Sequence, residues 1–422
     1  MLQSMRILGR VPLVGEIEVG GAKNLALPAI AASILTDEKV MLSNVPNLTD
    51  ISSLLDLMTH LGSDVNFDSE KHLLELSTKA IKSTIAPYDF VRKMRASILV
   101  LGPLVTRFRK ASVSLPGGCS IGARGVDIHI SALRHLGADI SIENGYINAS
   151  APNGLIGCDI TFPITTVTGT ENVLMAAVLG KGTTRLINAA MEPEIVALCE
   201  LLNEMGAEIS GVGTPIIIVE GVDSLHGTKF EIMPDRIETG TYAIAAAATD
   251  GKLLLKNCKC EHLSSFFEIL SLTGVSYEKT AEGVLVYNRN KKIHPVDIQT
   301  APYPGFPTDL QAQYTVLMSM CNGTASISEN IFENRFMHIP ELSRMGANIS
   351  IHGKTAVVTG VSKLKGAQVM ATDLRASVSL VIAGLIAEGE TIINRLYHID
   401  RGYENIEAKL NGCGASLERF SV

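Results

Sequence analysis

The tripeptide Leu61-Gly62-Ser63 ends a run of apolar residues at helical spacing, and a step of the same kind recurs along the chain. The later copies are Leu136-Gly137-Ala138, Met205-Gly206-Ala207, Thr273-Gly274-Val275, Met345-Gly346-Ala347 and Cys413-Gly414-Ala415. Successive glycines lie 68 to 75 residues apart. Such a regular period indicates a fold made of repeated units, six in this chain.

Each repeat has the pattern of two helices and several short strands. In the first repeat, Asp50 is expected to cap a helix over 51–61, and Gly62 is expected to end that helix in the left-handed conformation. Short strands are predicted to follow at 65–67 and 73–76.

An earlier helix in each repeat is rich in small residues, as at 25–35 and 239–248, and precedes a strand that ends in asparagine (Asn44, Asn188, Asn257 and Asn394). Because such a helix is apolar nearly all round, we expect it to be buried. One unit of roughly 70 residues needs its neighbours to fold. We therefore predict an α+β (α/β) fold of six similar units, three per domain, with helices inside and sheets outside. A stacked solenoid is the alternative, although solenoid periods usually run nearer about 20–50 residues.

The charge balance excludes several classes of protein. A chain of 422 residues with a net charge of −7 lacks the dominant basic surface of a general nucleic-acid binder. No apolar run approaches the length that spans a bilayer, and residues 1–13 lack the apolar core of a signal peptide. Seven scattered cysteines favour reduced thiols over a disulfide framework. We therefore expect a cytoplasmic protein with no nucleic-acid or membrane partner.

The segment Cys258-Lys259-Cys260-Glu261-His262 resembles a metal motif, but its cysteines are separated by one residue rather than two to four. No second ligand pair follows at a zinc-site distance. We interpret the segment as the end of a strand and predict no metal site. His338 and His398, in apolar or aromatic surroundings, are interpreted as hydrogen-bonded structural residues.

The segment Gly20-Gly21-Ala22-Lys23-Asn24 has the features of an anion site. Glycines let the backbone approach a ligand, and the free amide groups at a helix start attract anions. Lys23 would add a positive charge. A solvated turn is the alternative interpretation.

The segment 116–129 concentrates glycines around Cys119, Arg124, Asp127 and His129. A loop of this composition is expected to be mobile until a ligand orders it, as a lid is. An arginine nearby would lower the pKa of the Cys119 thiol. The alternative is a buried cysteine that packs as a small apolar group, which the glycines and Arg124 disfavour.

Three prolines in the segment 301–309 stiffen the approach to Asp309, as a fixed general base requires. The alternative role for Asp309 is to cap a helix over 310–320, and both roles are compatible.

Four arginines lie among small or apolar residues: Arg95, Arg335, Arg375 and Arg401. A guanidinium can donate two parallel hydrogen bonds to a carboxylate or a phosphate, so each of these arginines is a candidate anion-binding residue. Structural salt bridges to Glu333, Asp373 and Asp400 are the alternative.

At these segments the chain resembles the UDP-N-acetylglucosamine 1-carboxyvinyltransferases, a family of enolpyruvyl transferases. The matching stretches, from Gly21 to Glu404, are GAKNLALP, MRASILVLGPL, PGGCSIGAR, VDIHI, TVTGTEN, PDRIETGTY, FPTDLQAQ, ENRFMHIPELSRMGA, ATDLRAS and YHIDRGYE. The related 3-phosphoshikimate enzymes typically carry Gly-Ser-Lys-Ser at 21–24 and lack the cysteine loop. The chain departs from the family at Gly125, where proline is usual, so its loop is expected to sample more open conformations.

The resemblance implies two domains, each an inside-out α/β barrel of three units, with the active site in the cleft between them. Residues 1–22 and 234–422 would form domain I, and residues 23–233 would form domain II. The implied reaction transfers the enolpyruvyl group of phosphoenolpyruvate to the 3-hydroxyl of UDP-N-acetylglucosamine and releases phosphate, the first committed step of peptidoglycan synthesis. The reaction requires no cofactor, because the donor is already activated.

By the same resemblance, Cys119 would deliver a proton to C3 of the donor, and Asp309 would take the proton of the sugar hydroxyl. Fosfomycin would alkylate Cys119. Two alternatives remain at this point: a relative that binds the nucleotide sugar without turning it over, and a cysteine hydrolase. The hydrolase would need a histidine base near Cys119, and only His129 lies close in sequence.

The remaining implied site residues bind the two substrates. The donor phosphate would be held by Lys23, Arg124 and Arg401, of which Lys23 and Arg401 are also implied to be catalytic. The donor carboxylate region would be held by Arg335 and Arg375, and Asn24 would lie near the reacting hydroxyl. The other predicted substrate-binding residues are Arg95, Gly125, Val126, Asp127, Ile128, His129, Thr165, Thr166, Val167, Thr168, Ile331 and Asp373, together with Asp309.

Overall fold

The computed structural model of the chain describes residues 3–116, 125–288 and 292–421. These residues divide into two compact units, each with its own hydrophobic core. Domain I contains residues 3–20 and 234–421, and domain II contains residues 21–116 and 125–233. The chain leaves domain I between Gly20 and Gly21 and returns to it between Met233 and Pro234.

The described strands form six four-stranded sheets, three in each domain. In domain II the sheets, in strand order, are Lys229–Glu231, Lys39–Ser43, Leu73–Ser77 and Asp64–Asp68; Ile85–Ala86, Lys110–Ser114, Tyr146–Ser150 and Asp139–Glu143; and Asp159–Thr161, Thr183–Ile187, Ile216–Glu220 and Glu208–Ser210. In domain I they are Val14–Glu18, Lys252–Lys256, Gly283–Tyr287 and Ser276–Lys279; Ile298–Gln299, Thr324–Ser328, Thr355–Thr359 and Asn348–His352; and Gln368–Met370, Glu390–Asn394, Gln3–Leu8 and Ser416–Ser421.

All six sheets share one pairing pattern. The first strand of each order runs parallel to the second, and the other two pairs are antiparallel. In two sheets, one from each domain, strands from the beginning and the end of that domain's sequence pair with each other. Gln3–Leu8 pairs with Ser416–Ser421, and Lys229–Glu231 pairs with Lys39–Ser43. Each domain therefore closes its three repeats into a ring.

The helices form the inner layer of each domain. In domain II they are Lys23–Ala32, Thr49–Leu61, Tyr88–Val91, Leu101–Phe108, Asp127–His135, Val167–Ala177 and Pro193–Glu204, with 3₁₀ turns Ser33–Leu35 and Arg95–Val100. In domain I they are Arg236–Ala248, Ser264–Leu272, Gln311–Met318, Ile339–Arg344, Leu374–Ile386 and Ile406–Asn411, with 3₁₀ turns Cys260–Leu263, Thr308–Leu310 and Leu396–His398. Every residue of Gln311–Met318 and of Leu374–Ile386 is buried. The predicted fold, with helices inside and sheets outside, is thereby confirmed.

The recurring sequence features mark equivalent points of the repeats. The six glycines of the repeated tripeptide all have a positive φ, between 93° and 116°, as predicted for Gly62. The side-chain amide nitrogens of the four strand-ending asparagines (Asn44, Asn188, Asn257 and Asn394) donate to backbone carbonyls at 2.8 to 3.3 Å, those of Ile232, Phe162, Val19 and Val369. Each asparagine thus ties its strand to the parallel edge strand beside it.

Two local predictions were wrong. Asp50 is not a cap: the helix begins at Thr49 after Leu48, and the Asp50 side chain is buried. The strand near Cys258 ends at Lys256, and Cys260–Leu263 forms a 3₁₀ turn rather than a strand end. The Asp50 error arises because a short polar residue suits several turn conformations, among which tertiary contacts decide.

Candidate active site

A carboxylate held between two arginines lies in domain I. Arg335 Nη2 donates to Asp309 Oδ1 at 2.6 Å, and Arg375 Nη2 donates to Asp309 Oδ2 at 2.9 Å. The arginine side chains are 6% and 5% exposed, and that of Asp309 is 25% exposed. Asp309 belongs to the 3₁₀ turn before Gln311–Met318 and makes no side-chain cap to that helix, so the capping alternative is wrong.

The arginines determine the charge of this cluster. Burial alone would raise the pKa of Asp309, but the charges of Arg375 and Arg335 outweigh burial and hold the pKa well below its usual range. The three side chains therefore carry one net positive charge. Arg335 Nε is buried and has no hydrogen-bond partner among the described residues. A buried donor with no acceptor in a cationic cluster suits an anionic ligand.

A series of hydrogen bonds fixes the Arg335 side chain. Its Nη1 donates to Thr308 Oγ1 at 2.9 Å, and Thr308 Oγ1 donates to Glu329 Oε2 at 2.8 Å. The other carboxylate oxygen of Glu329, which is 4% exposed, accepts from the backbone nitrogen of Ile331 at 2.8 Å. Ile331, a predicted substrate-binding residue, is thereby joined to the Asp309 cluster.

Of the carboxylates offered as alternative salt-bridge partners, Asp373 and Asp400 have other contacts. Arg335 and Arg375 pair with Asp309. The Asp373 carboxylate instead caps the helix Leu374–Ile386, where Oδ1 accepts from the backbone nitrogens of Arg375 and Ala376 at 2.9 and 3.0 Å. Asp400 accepts two hydrogen bonds from Arg419, at 2.7 and 3.0 Å.

Arg401 and two histidines lie in the same domain. Burial is the largest cause of the lowered pKa of His398, and the charge of half-buried Arg401 adds to it. His338 is 1% exposed, and neither ring nitrogen has a hydrogen-bond partner among the described residues. The prediction that His338 is hydrogen-bonded was therefore wrong. Burial lowers its pKa to about 4.

A buried ion pair lies at the start of a helix in domain II. Lys23 is the first residue of Lys23–Ala32, is 8% exposed, and places Nζ 3.1 Å from Asp50 Oδ2. Asn24 follows it and is half-buried. A Cβ at Gly21 would lie 1.8 Å from the carbonyl oxygen of Asn44, so only glycine fits there.

A second group of predicted residues meets around His129 in domain II. His129 is 2% exposed; its Nδ1 is 3.0 Å from Asn172 Nδ2, and its Nε2 is 3.5 Å from Thr168 Oγ1. Burial, and then the charge of Arg95, lower the pKa of His129 to about 4. Arg95 Nη2 donates to the carbonyl of Gly125 at 3.3 Å. The predicted segments at 95, 125–129 and 165–168 are therefore brought together.

The segment 165–168 is itself fixed at a helix start. Thr166 caps Val167–Ala177 by accepting from the Gly169 nitrogen at 3.3 Å, and Thr165 Oγ1 donates to Asn188 Oδ1 at 2.9 Å. A cavity of about 470 Å³ opens beside this group, lined by one face of the helix Asp127–His135 and by residues 159–163. Asp127 and Ile128 line it, and Val126 precedes them as the helix N-cap. A Cβ at Gly125 would lie 2.3 Å from an Asp127 carboxylate oxygen, so a larger residue there requires Asp127 to turn.

Cys119 and Arg124 lie outside the described residues, so their predicted positions stay predictions. The six described cysteines all have raised thiol pKa values, with burial as the largest cause; they are Cys158, Cys199, Cys258, Cys260, Cys321 and Cys413. Within the described part of the chain, no group of three or more histidine, cysteine or acidic side chains could hold a metal ion. No described helix has both the length and the apolar character to cross a bilayer.

Several partners of the site residues could not be assigned from the local sequence. Asp50, Asn172 and Glu329 each act through a partner far along the chain: Lys23, His129 and Thr308. Only knowledge of the tertiary fold could place them.

Solved structures with the same fold are enolpyruvyl transferases. The enolpyruvyl transferase NikO from Streptomyces tendae superposes with a TM-score of 0.91 at 23% identity, over 100% of this chain and 99% of that one. EPSP synthase from Acinetobacter baumannii gives 0.76 at 16% identity, over the whole of both chains. The molecule thus has the enolpyruvyl-transferase fold.

Sequence comparison identifies the family of the chain within this fold. The family model of EPSP synthase (3-phosphoshikimate 1-carboxyvinyltransferase) matches residues 7–410. The UDP-N-acetylglucosamine 1-carboxyvinyltransferase of Granulibacter bethesdensis is 55% identical over 100% of both chains, and that of Rhodospirillum centenum is 54% identical over 99% of both. The chain belongs to the UDP-N-acetylglucosamine 1-carboxyvinyltransferase family, as the sequence motifs predicted.

Proposed function

We infer that this chain transfers the enolpyruvyl group of phosphoenolpyruvate to the 3-hydroxyl of UDP-N-acetylglucosamine and releases phosphate, a step of peptidoglycan synthesis. The observation that carries the inference is the full-length identity of 55% to an enzyme with this name. The Asp309 cluster agrees with it, because one net positive charge and a buried free donor suit an anionic donor substrate. We also propose a cytoplasmic location, where both substrates would be available.

In the proposed reaction the sugar oxygen bonds to C2 of the donor while a proton is added to C3. A proton is then lost from C3 and phosphate leaves C2, which restores the double bond. Asp309 accepts the hydroxyl proton. As long as both arginines hold it, Asp309 is an anion but a weak base. When the donor carboxylate also pairs with Arg335 and Arg375, the arginines stabilise the Asp309 anion less. The pKa of Asp309 then rises, which makes it a stronger base.

Other residues hold the remaining parts of the substrates in this proposal. Lys23, Arg124 and Arg401 bind the donor phosphate, and Asn24 lies near the reacting hydroxyl. Since Asp50 already neutralises Lys23, this lysine contributes directed N–H groups more than net charge. The segments 125–129 and 165–168, with Arg95, bind the nucleotide sugar. Cys119 delivers the proton to C3.

Phosphate release tests the proposal. The purified chain should release phosphate from phosphoenolpyruvate only when UDP-N-acetylglucosamine is present, with one enolpyruvyl product formed per phosphate. Nucleotide-sugar binding without phosphate release would instead indicate the non-catalytic relative. Phosphate release at the same rate with and without UDP-N-acetylglucosamine would contradict enolpyruvyl transfer to the sugar.

A further inference from the structure

A buried hydroxyl behind the Asp309 cluster has no part in the reaction described so far. Tyr403 is 2% exposed, and its hydroxyl oxygen accepts a hydrogen bond from Arg375 Nη1 at 3.1 Å. The same oxygen lies 2.8 Å from Thr241 Oγ1, which donates its own proton to the carbonyl of Ile237 at 2.8 Å. Because the Thr241 proton is already used, the Tyr403 hydroxyl donates to Thr241 and accepts from Arg375.

The other end of the same guanidinium holds the proposed base. Arg375 Nη2 donates to Asp309 Oδ2 at 2.9 Å. A guanidinium is planar, so an acceptor that fixes Nη1 also fixes the direction of Nη2. Arg375 is 4% exposed, which leaves little solvent to replace a lost acceptor.

The backbone of Asp309 is tied to the same network. Gln313, on the helix Gln311–Met318, donates from Nε2 to Thr241 Oγ1 and to the carbonyl of Asp309, each at 3.0 Å. The Tyr403 and Thr241 hydroxyls therefore lie where the carboxylate and the main chain of Asp309 are both anchored.

We propose that Tyr403 is a positioning residue for the transfer reaction: its hydroxyl orients the Arg375 guanidinium, which in turn holds the Asp309 carboxylate in the direction of the sugar hydroxyl. The proposal rests on the proposed function, since Asp309 must act on the substrate. Tyr403 acts through Arg375.

The test compares two buried tyrosines of domain I. Tyr403→Phe removes the hydroxyl and keeps the ring. We expect kcat to fall about 10- to 100-fold, the loss typical of a hydrogen bond to a charged group, with KM for the nucleotide sugar nearly unchanged. Tyr314→Phe is the matched control, because Tyr314 is 0% exposed and its hydroxyl donates to the Val296 carbonyl at 2.9 Å. This control should show a similar loss of thermal stability and a wild-type kcat.

A double-mutant cycle identifies the path of the effect. If Tyr403 acts only on the placement of Asp309, then Tyr403→Phe should change the residual rate of Asp309→Asn by less than about twofold. A general structural defect would instead multiply the two losses. Where Tyr403→Phe does not fold, Thr241→Val removes the acceptor of the Tyr403 proton, and it should lower kcat in the same manner.

Two results would overturn the proposal: a kcat for Tyr403→Phe equal to that of Tyr314→Phe, or losses that multiply with Asp309→Asn. Both are measured against an active wild-type chain. A wild-type chain without sugar-dependent phosphate release would overturn the proposed function instead, so the two failures are distinguishable.

Discussion

Domains I and II are built from the same repeat, yet the clusters around Lys23 and Asp309 arrange their buried charges in opposite ways. In domain II a cation, Lys23, is neutralised by one carboxylate, that of Asp50. In domain I an anion, Asp309, lies between two arginines and leaves one net positive charge. The scaffold is shared, and the difference in chemistry comes from a few side chains at equivalent places.

Those places are the starts of the first helices of the repeats. Lys23 begins Lys23–Ala32, Arg95 begins the 3₁₀ turn that leads into Leu101–Phe108, and Thr166 caps Val167–Ala177. In domain I, Asp309 precedes Gln311–Met318 and Asp373 caps Leu374–Ile386. The first backbone N–H groups of a helix lack intrahelical partners, so a side chain of the protein or an anionic ligand can bind there. The repeated fold therefore places a helix start at the same point of each unit, and the side chain at that point determines the local chemistry.

The largest expected effect tests the proposed proton donor, Cys119. Cys119→Ala should lower kcat by roughly 10²–10⁴-fold, the range for loss of a general acid, and should retain nucleotide-sugar binding by calorimetry. Cys158→Ala is the control, since burial and Asp159 raise the pKa of that partly exposed thiol. Fosfomycin, given with nucleotide sugar, should label the wild-type protein at Cys119 and leave Cys119→Ala unlabelled by mass spectrometry. Full turnover by Cys119→Ala would remove the proton-donor role.

A smaller effect tests the neutral ion pair of domain II. Asp50→Asn removes the carboxylate that pairs with the buried Lys23 cation, and we expect a loss of about 3 kcal/mol in the free energy of unfolding. The matched change, Glu261→Gln, breaks the exposed Lys279–Glu261 pair, and it should leave the free energy of unfolding nearly unchanged because solvent screens that pair. Urea titrations of both variants measure the difference. Equal losses would show that the Lys23 pair contributes no more than a surface pair.

The smallest effect compares a buried histidine from each domain. His129 and His338 both have a pKa of about 4, against roughly 6.5 when unfolded. Between these values the unfolded chain binds more protons, so each histidine lowers stability as pH falls from about 6.5 to about 4, by up to about 3 kcal/mol.

The two histidines differ in their partners, which separates the variants. His338→Phe removes ring nitrogens that lack partners among the described residues, so stability at pH 5 should rise or stay constant. His129→Phe deprives Asn172 of a partner and should cost about 1–3 kcal/mol at pH 7. Thermal melts from pH 4 to pH 8 give both results. A destabilised His338→Phe at pH 5 would show that the ring nitrogens are bonded.

The sequence predicted what is periodic and left out what depends on long-range contact. Glycines such as Gly62 mark helix ends because the positive φ is a local requirement, so the repeats and their helices could be counted from sequence. The ring closure could not, because nothing in 3–8 or 229–231 indicates a partner at the far end of the domain. For the same reason Asp309 was found as a candidate, whereas its supports Tyr403 and Glu329 were not.

In the proposed mechanism Asp309, held by its two arginines, takes the sugar hydroxyl proton. Asp309→Asn keeps the size of the side chain and removes its basicity. Single-turnover phosphate release, with both substrates bound, should slow by roughly 10²–10⁴-fold while the affinity for nucleotide sugar, measured by calorimetry, stays close to wild type. An Asp309→Asn variant that releases phosphate at the wild-type rate would contradict the account.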